Sequence, residues 1–194
     1  VLQCDIKVKN MRKINRALII AFSFLVFTAS SINGQTAAAN KPVQVNSAAN
    51  YQLVIENEDG KQTRLTLADI GKLKRQTVKG NDHGNEAVFE GVPLVEVLKL
   101  GGVEFGETLR GRRLATFLLV EAADKYQAVF ALPELDAGFT DRIILLADRR
   151  DGRPLSEKEG LLRVVVPDEK RQGRWVRQVT SLRILRATGA VPVK

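Results

Sequence analysis

A thirteen-residue apolar run, Ala17 to Ala29, decides how much of this chain is available for folding. Met11, Arg12, Lys13 and Arg16 precede it, and Ser30, Ser31, Asn33 and Gly34 follow it. A basic start, a short apolar middle and a small-residue exit is the layout of a secretory signal. A helix of that length reaches about 20 Å, short of the roughly 30 Å of a bilayer core. The expectation is therefore cleavage, at Ala29-x-Ser31 or near Gly34, with no membrane span afterwards. Residues 1–34 are read as upstream residues plus secretion signal, 35–50 as a flexible arm rich in Ala, Asn and Gln, and 51–194 as one domain. Arg12-Lys13 and Arg16 include no adjacent arginine pair, so the leader reads as a general secretory signal. The expected location is periplasmic or secreted.

Cleavage changes the chemistry left behind. Five Lys/Arg against one acid in residues 1–34 carry half of the chain's net charge of +8. The remainder is mildly basic, which does not point to nucleic acid. Cys4, the sole cysteine, lies in the leader region. The mature chain therefore has no disulfide, no thiolate metal site and no cysteine nucleophile. The single histidine, His83, excludes His-pair zinc sites. No Gly-rich phosphate loop and no serine elbow is present. The carboxylate pairs Glu121/Asp124 and Glu157/Glu159 read as solvated loop charges, and no catalytic residue is assigned.

Patterning predicts strands with a few short helices. Tyr51–Glu56 and Gln62–Leu67 flank Asp59-Gly60, a hairpin signal. Thr66 can cap a helix over 67–73. Gln76–Val78 and Ala87–Glu90 flank the polar turn 81–85. Gly91-Val92-Pro93 leads into a helix, 94–100, whose Leu94, Val97 and Leu98 share one face. Leu114–Ala122 reads as a buried strand. Tyr126–Ala131 follows the Asp124-Lys125 turn, and 133–136 reads as one helical turn. Ile143–Ala147 is strand-like, 148–154 a charged loop, and 161–166 and 176–185 are strands. Strands and helices do not alternate, so the expected class is α+β with mixed sheets.

Three basic clusters stand out: Arg110, Arg112 and Arg113; Arg149, Arg150 and Arg153; and Lys170, Arg171, Arg174 and Arg177 around Trp175. Guanidinium groups suit phosphate, sulfate or carboxylate, and an indole can stack on a flat ring. Solvated loop charges are the plainer reading of each cluster. Trp175 also reads as an anchor for the last strand.

Four segments, FEGVPLVEVLKLGGV (89–103), LVEAADKYQAVFALPELD (119–136), LLADRRDGRPLSEKEGLLRVVVPDEK (145–170) and GRWVRQVTSLRIL (173–185), together with Asp82-His83-Gly84, resemble the molybdopterin-binding domain of the sulfite oxidase class of oxidoreductases. The likeness is greatest to small exported single-domain members, and it spans about residues 64–186. It implies an α+β fold. In catalytic members a cysteine upstream of the Gly-Val-Pro-Leu-like helix binds molybdenum; the matching stretch here, 77–84, holds none. By the resemblance, the basic residues near the last strands hold the cofactor's phosphate. The cofactor-binding set it implies is His83, Lys170, Arg174, Trp175 and Arg177. Without the thiolate, and with a leader for unfolded export, no cofactor is expected, and the alternative is a molybdenum-molybdopterin oxidoreductase. The expected role is a non-catalytic module for a small anionic or pterin-like ligand. An envelope domain that binds a partner protein is the further alternative.

Overall fold

A computed structural model of the protein describes residues 48–187. The expected leader and most of the expected arm lie outside these residues; the arm's last three, Ala48–Asn50, form a single 3-10 turn. Asn57 then starts the first hairpin. Its side-chain oxygen accepts from the amides of Asp59 (3.1 Å) and Lys61 (2.9 Å), and Gly60 supplies the positive φ of 78°. The hairpin joins β1 (Leu53–Glu56) to β2 (Gln62–Leu65). Thr66 caps α1 (Leu67–Gly71) in a reciprocal box with Asp69. Such a cap contributes about 1 kcal/mol.

Next come β3 (Gln76–Asp82) and β4 (Asn85–Pro93), longer than the patterning predicts. Gly91-Val92-Pro93 leads into the helix as expected, with Pro93 at its N-cap, and is also the buried end of β4, pairing with 145–147 across the sheet. The helix begins where expected: α2 is Leu94–Leu100, with Leu94, Val97 and Leu98 buried. Its end packs on β1, where a Cβ at Gly101 would stand 2.5 Å from Ile55.

Leu114 falls in a 3-10 segment, Gly111–Ala115, and is exposed, so β5 runs Thr116–Ala122. Burial alternates along β5, so one face reaches the core and the other is half covered. β6 (Gln127–Ala131) returns antiparallel to it. The expected helical turn is 3-10, Leu132–Leu135.

The expected charged loop 148–154 is a tight hairpin instead. β7 runs Leu145–Arg150 and β8 is Arg153–Pro154, with Asp151 (φ 50°) and Gly152 (φ 74°) between them. Two consecutive positive φ values make the primed turn that matches strand twist, and Asp-Gly is a preferred pair for it. The arginines on either side mask the strand pattern. Asp151 also docks on β4: its amide donates to the Val88 carbonyl (2.7 Å), and its carboxylate accepts from the Val88 amide (2.9 Å). β9 (Arg163–Val165) and β10 (Val179–Arg186) complete the set.

The strands form two sheets. One has the order β2-β1-β10-β5-β6, with β1 parallel to β10. The other is β3-β4-β7-β8, with β9 also on β7. The buried apolar side chains of both sheets and α2 make one cluster. This is the α+β class with mixed sheets. Among the described residues, no helix is long and apolar enough to cross a membrane.

Candidate functional site

The β3–β4 hairpin turns on His83 (φ 55°) and Gly84 (φ 90°), another primed two-residue turn. The Gly84 amide donates to the Asn81 side chain at 2.7 Å. His83 is thereby held at the rim, its side chain 77% exposed, with Nδ1 2.8 Å from Asp82 Oδ1. Asp82 is the last residue of β3 and points inward.

Beneath the turn lies a buried ion network. Asp82 Oδ2 accepts from Arg150 Nη1 (2.9 Å) and Arg163 Nη1 (3.0 Å). Glu159 Oε1 accepts from the same Arg163 nitrogen at 2.6 Å. Glu159 Oε2 accepts from the amide and hydroxyl of Ser156. The expectation that Glu159 is solvated is thus overturned: it is 8% exposed, because one turn of chain delivers it to Arg163. Asp124 is exposed as expected, whereas Glu121 is half-buried in β5, paired with Lys125 and accepting a hydrogen bond from Gln127. Arg163 itself is 3% exposed. Its guanidinium lies 5.2 Å from the ring centres of both Phe89 and Trp175. Those two rings meet edge to face at 5.5 Å. Trp175 approaches β3 so closely that a Cβ at Gly80 would stand 2.5 Å from it.

Burial would raise the Asp82 carboxyl, but hydrogen bonds from Arg163 and His83 and the charges of Arg163 and Arg150 outweigh it, leaving about 2. Burial acts likewise on Glu159, and Ser156 and Arg163 carry it below the ordinary carboxylate range. A carboxylate lowered in the fold stabilises above its unfolded pKa and stops doing so as pH falls through the folded value. Asp82 is lowered from 3.8 to about 2, which corresponds to about 2 kcal/mol. Chemical denaturation between about pH 5 and pH 2 is expected to show stability falling with acid, and Asp82→Asn is expected to flatten that slope. An unchanged slope in the variant would refute the assignment.

A pocket of about 440 Å³ opens beside this network. His83, Arg163, Arg171, Trp175 and Arg177 contribute to its wall, as do Asp124 and Tyr126. The Gln172 side chain donates to the Asn81 carbonyl (2.6 Å), and the Tyr126 hydroxyl to the Gly173 carbonyl (2.5 Å). These bonds hold the 171–177 segment against the hairpin. Among the described residues, two buried donors of wall residues, Arg163 Nε and Trp175 Nε1, have no hydrogen-bond partner. Such orphans cost about 1–3 kcal/mol each.

The structure brings His83, Trp175 and Arg177 of the expected set together and adds Arg163 and Arg171. It sends Arg174 elsewhere: onto the Phe130 ring (4.6 Å), hydrogen-bonded to Glu134 (2.9 Å) and Glu169. Lys170 is exposed and outside the pocket wall. Trp175, 4% exposed, has Arg163 over its ring and Gly80 against its benzo edge. Arg163 was missed, although a lone arginine inside the apolar run Leu161–Val166 signals a buried, paired charge.

A larger cleft of about 960 Å³ lies between α2 and residues 135–144. Some of its polar groups are engaged: Glu96 pairs with Lys99, and Asp136 accepts from the amides of Gly106 and Gly138. Among the described residues no group of His, Cys, Asp and Glu could hold a metal ion.

A family model described as the oxidoreductase molybdopterin binding domain matches residues 40–189. No curated protein matches the sequence. Among solved structures, the sulfane dehydrogenase SoxCD from Paracoccus pantotrophus is similar, with a TM-score of 0.55 and 22% identity. The likeness covers 72% of this chain and 39% of that one, and at this identity it concerns the fold.

Proposed function

The chain belongs to the oxidoreductase molybdopterin-binding domain family, and from that premise we propose that it is an exported binding module of the family. Its ligand is a small anion or a phosphate-bearing pterin-like molecule, taken in the pocket beside His83. The observation that carries this is one cavity whose wall holds Arg171 and Arg177, neither ion-paired among the described residues, together with Arg163 and Trp175, whose buried Nε and Nε1 have no partner among them. Cations draw the anion in, and the donors fix its orientation.

Molybdopterin carries a phosphate, a flat pterin and a dithiolene that holds redox-active molybdenum. The pocket suits its first two parts. The phosphate suits the guanidiniums, and the ring's edge suits the indole N–H. It does not suit the metal, which takes a soft thiolate in catalytic members, whereas residues 48–187 contain no cysteine. No redox step is assigned to these residues.

Calorimetry on the full protein with inorganic phosphate, sulfate and a pterin phosphate tests the reading. Saturable binding that weakens with salt is expected. Replacing both Arg171 and Arg177 by Ala is expected to weaken it by about tenfold or more. Silence at millimolar ligand would end the proposal. Family membership keeps the oxidoreductase reading as the rival, and near-stoichiometric molybdenum and pterin in protein from its own host would favour it. Export to the periplasm or medium is part of the proposal, supported by the leader's layout. Amino-terminal sequencing of protein recovered there should begin near residues 32–35, and an intact leader would refute cleavage.

A further inference from the structure

The chain has one histidine, and it stands on the pocket wall. Asp82 Oδ1 lies 2.8 Å from its Nδ1, so that nitrogen carries the proton whether the ring is neutral or charged. Nε2 is left as the variable atom. On the neutral ring it is a lone pair, which repels an oxyanion. On the imidazolium it is a donor, which attracts one.

The surrounding charges leave room for this choice to matter. Arg150 and Arg163 are balanced by Asp82 and Glu159 within the network. That leaves Arg171, Arg177 and Asp124 on the pocket wall, a net single positive charge. A protonated His83 makes it two. The groups facing His83 are thus the carboxyls of Asp82, Asp124 and Glu159, the guanidiniums of Arg150, Arg163, Arg171 and Arg177, and the Tyr126 phenol. Groups of these three kinds do not ordinarily titrate between pH 5 and 8, whereas imidazole does.

Resting on the pocket reading above, we propose that His83 is the specificity-determining contact of the pocket: it meets the ligand as imidazolium, so a proton enters with each anion and doubly charged oxyanions are preferred to singly charged ones. Asp82 is the positioning residue that fixes the ring's tautomer.

The test is calorimetry with sulfate, doubly charged throughout this range, and with singly charged nitrate. Titrations run from about pH 8 to about pH 5.5, in buffers of different ionisation heat. Sulfate affinity is expected to rise by about tenfold on acidification, with net proton uptake and a weaker response for nitrate. His83→Asn keeps the turn, since Asn accepts positive φ. It is expected to bind sulfate with no pH slope and no proton uptake. A flat profile in the unmodified protein, or the same slope in His83→Asn, would overturn the proposal while leaving the pocket reading intact. No sulfate binding at any pH would remove both.

Discussion

Arg163→Met is expected to destabilise the domain by about 3–5 kcal/mol, the usual loss when one partner of a buried ion pair is removed. The methionine chain replaces most of the lost apolar contact with Phe89 and Trp175, so the loss reports charge rather than volume. Asp82 and Glu159 would remain buried, each without its closest or second-closest cation. Adding Asp82→Asn to Arg163→Met should recover part of the loss, because one stranded charge disappears. Urea denaturation at neutral pH measures all three proteins. A single-variant loss below about 1 kcal/mol would mean that the network is solvated and contributes like a surface pair.

Gly91→Ala is expected to cost about 3 kcal/mol or more. Gly91 sits where the β4–β7 register shifts, opposite Ala147. An added Cβ would stand 2.1 Å from the Leu146 carbonyl oxygen and 2.5 Å from the Ala147 Cα. Both are backbone atoms of a central strand, so neither can move without opening the ladder. Gly71→Ala is the control: nothing lies within 4 Å of its Cβ position and its φ is not positive. It should be neutral or slightly stabilising. Equal stability of both variants would show that β4 and β7 are less closely apposed than described.

The parts of the fold that were legible in the sequence are those governed by local rules. Leu94, Val97 and Leu98 placed α2 because a helix repeats its face by covalent geometry. Thr66 and Asp59-Gly60 marked a cap and a turn because those side chains and that glycine satisfy nearby backbone. The hairpin at Asp151-Gly152 obeys the same rule, yet Arg149, Arg150 and Arg153 made its strands look like loop. Their reason for being there is tertiary: Arg150 serves Asp82, 68 residues away. The site divides in the same way. His83 and Arg177 were visible as residue types, and Asp82 as His83's neighbour. Arg174 belongs to the implied set through the family resemblance of the last strands, but successive residues beside a 3-10 turn face different ways, and Glu134 and Glu169 hold it on Phe130. No local pattern reports that Arg163 and Gly80 share Trp175. Such a contact appears only when β3, β9 and the segment after the 172–174 turn are brought together.

The parallel pairing of β1 with β10 has a consequence for how the polypeptide is made. β10 lies between β1 and β5, and it is the last strand among the described residues. While it is still being synthesised, β1 and β5 have no bridge between them, and Tyr51 has no Val179 carbonyl to donate to. The loop to be closed exceeds a hundred residues, an entropic delay that favours late and cooperative assembly. A nascent chain of this topology leaves its first sheet unassembled until β10 has been made. For the proposed export, that unassembled state is the one a translocation channel for unfolded polypeptides accepts.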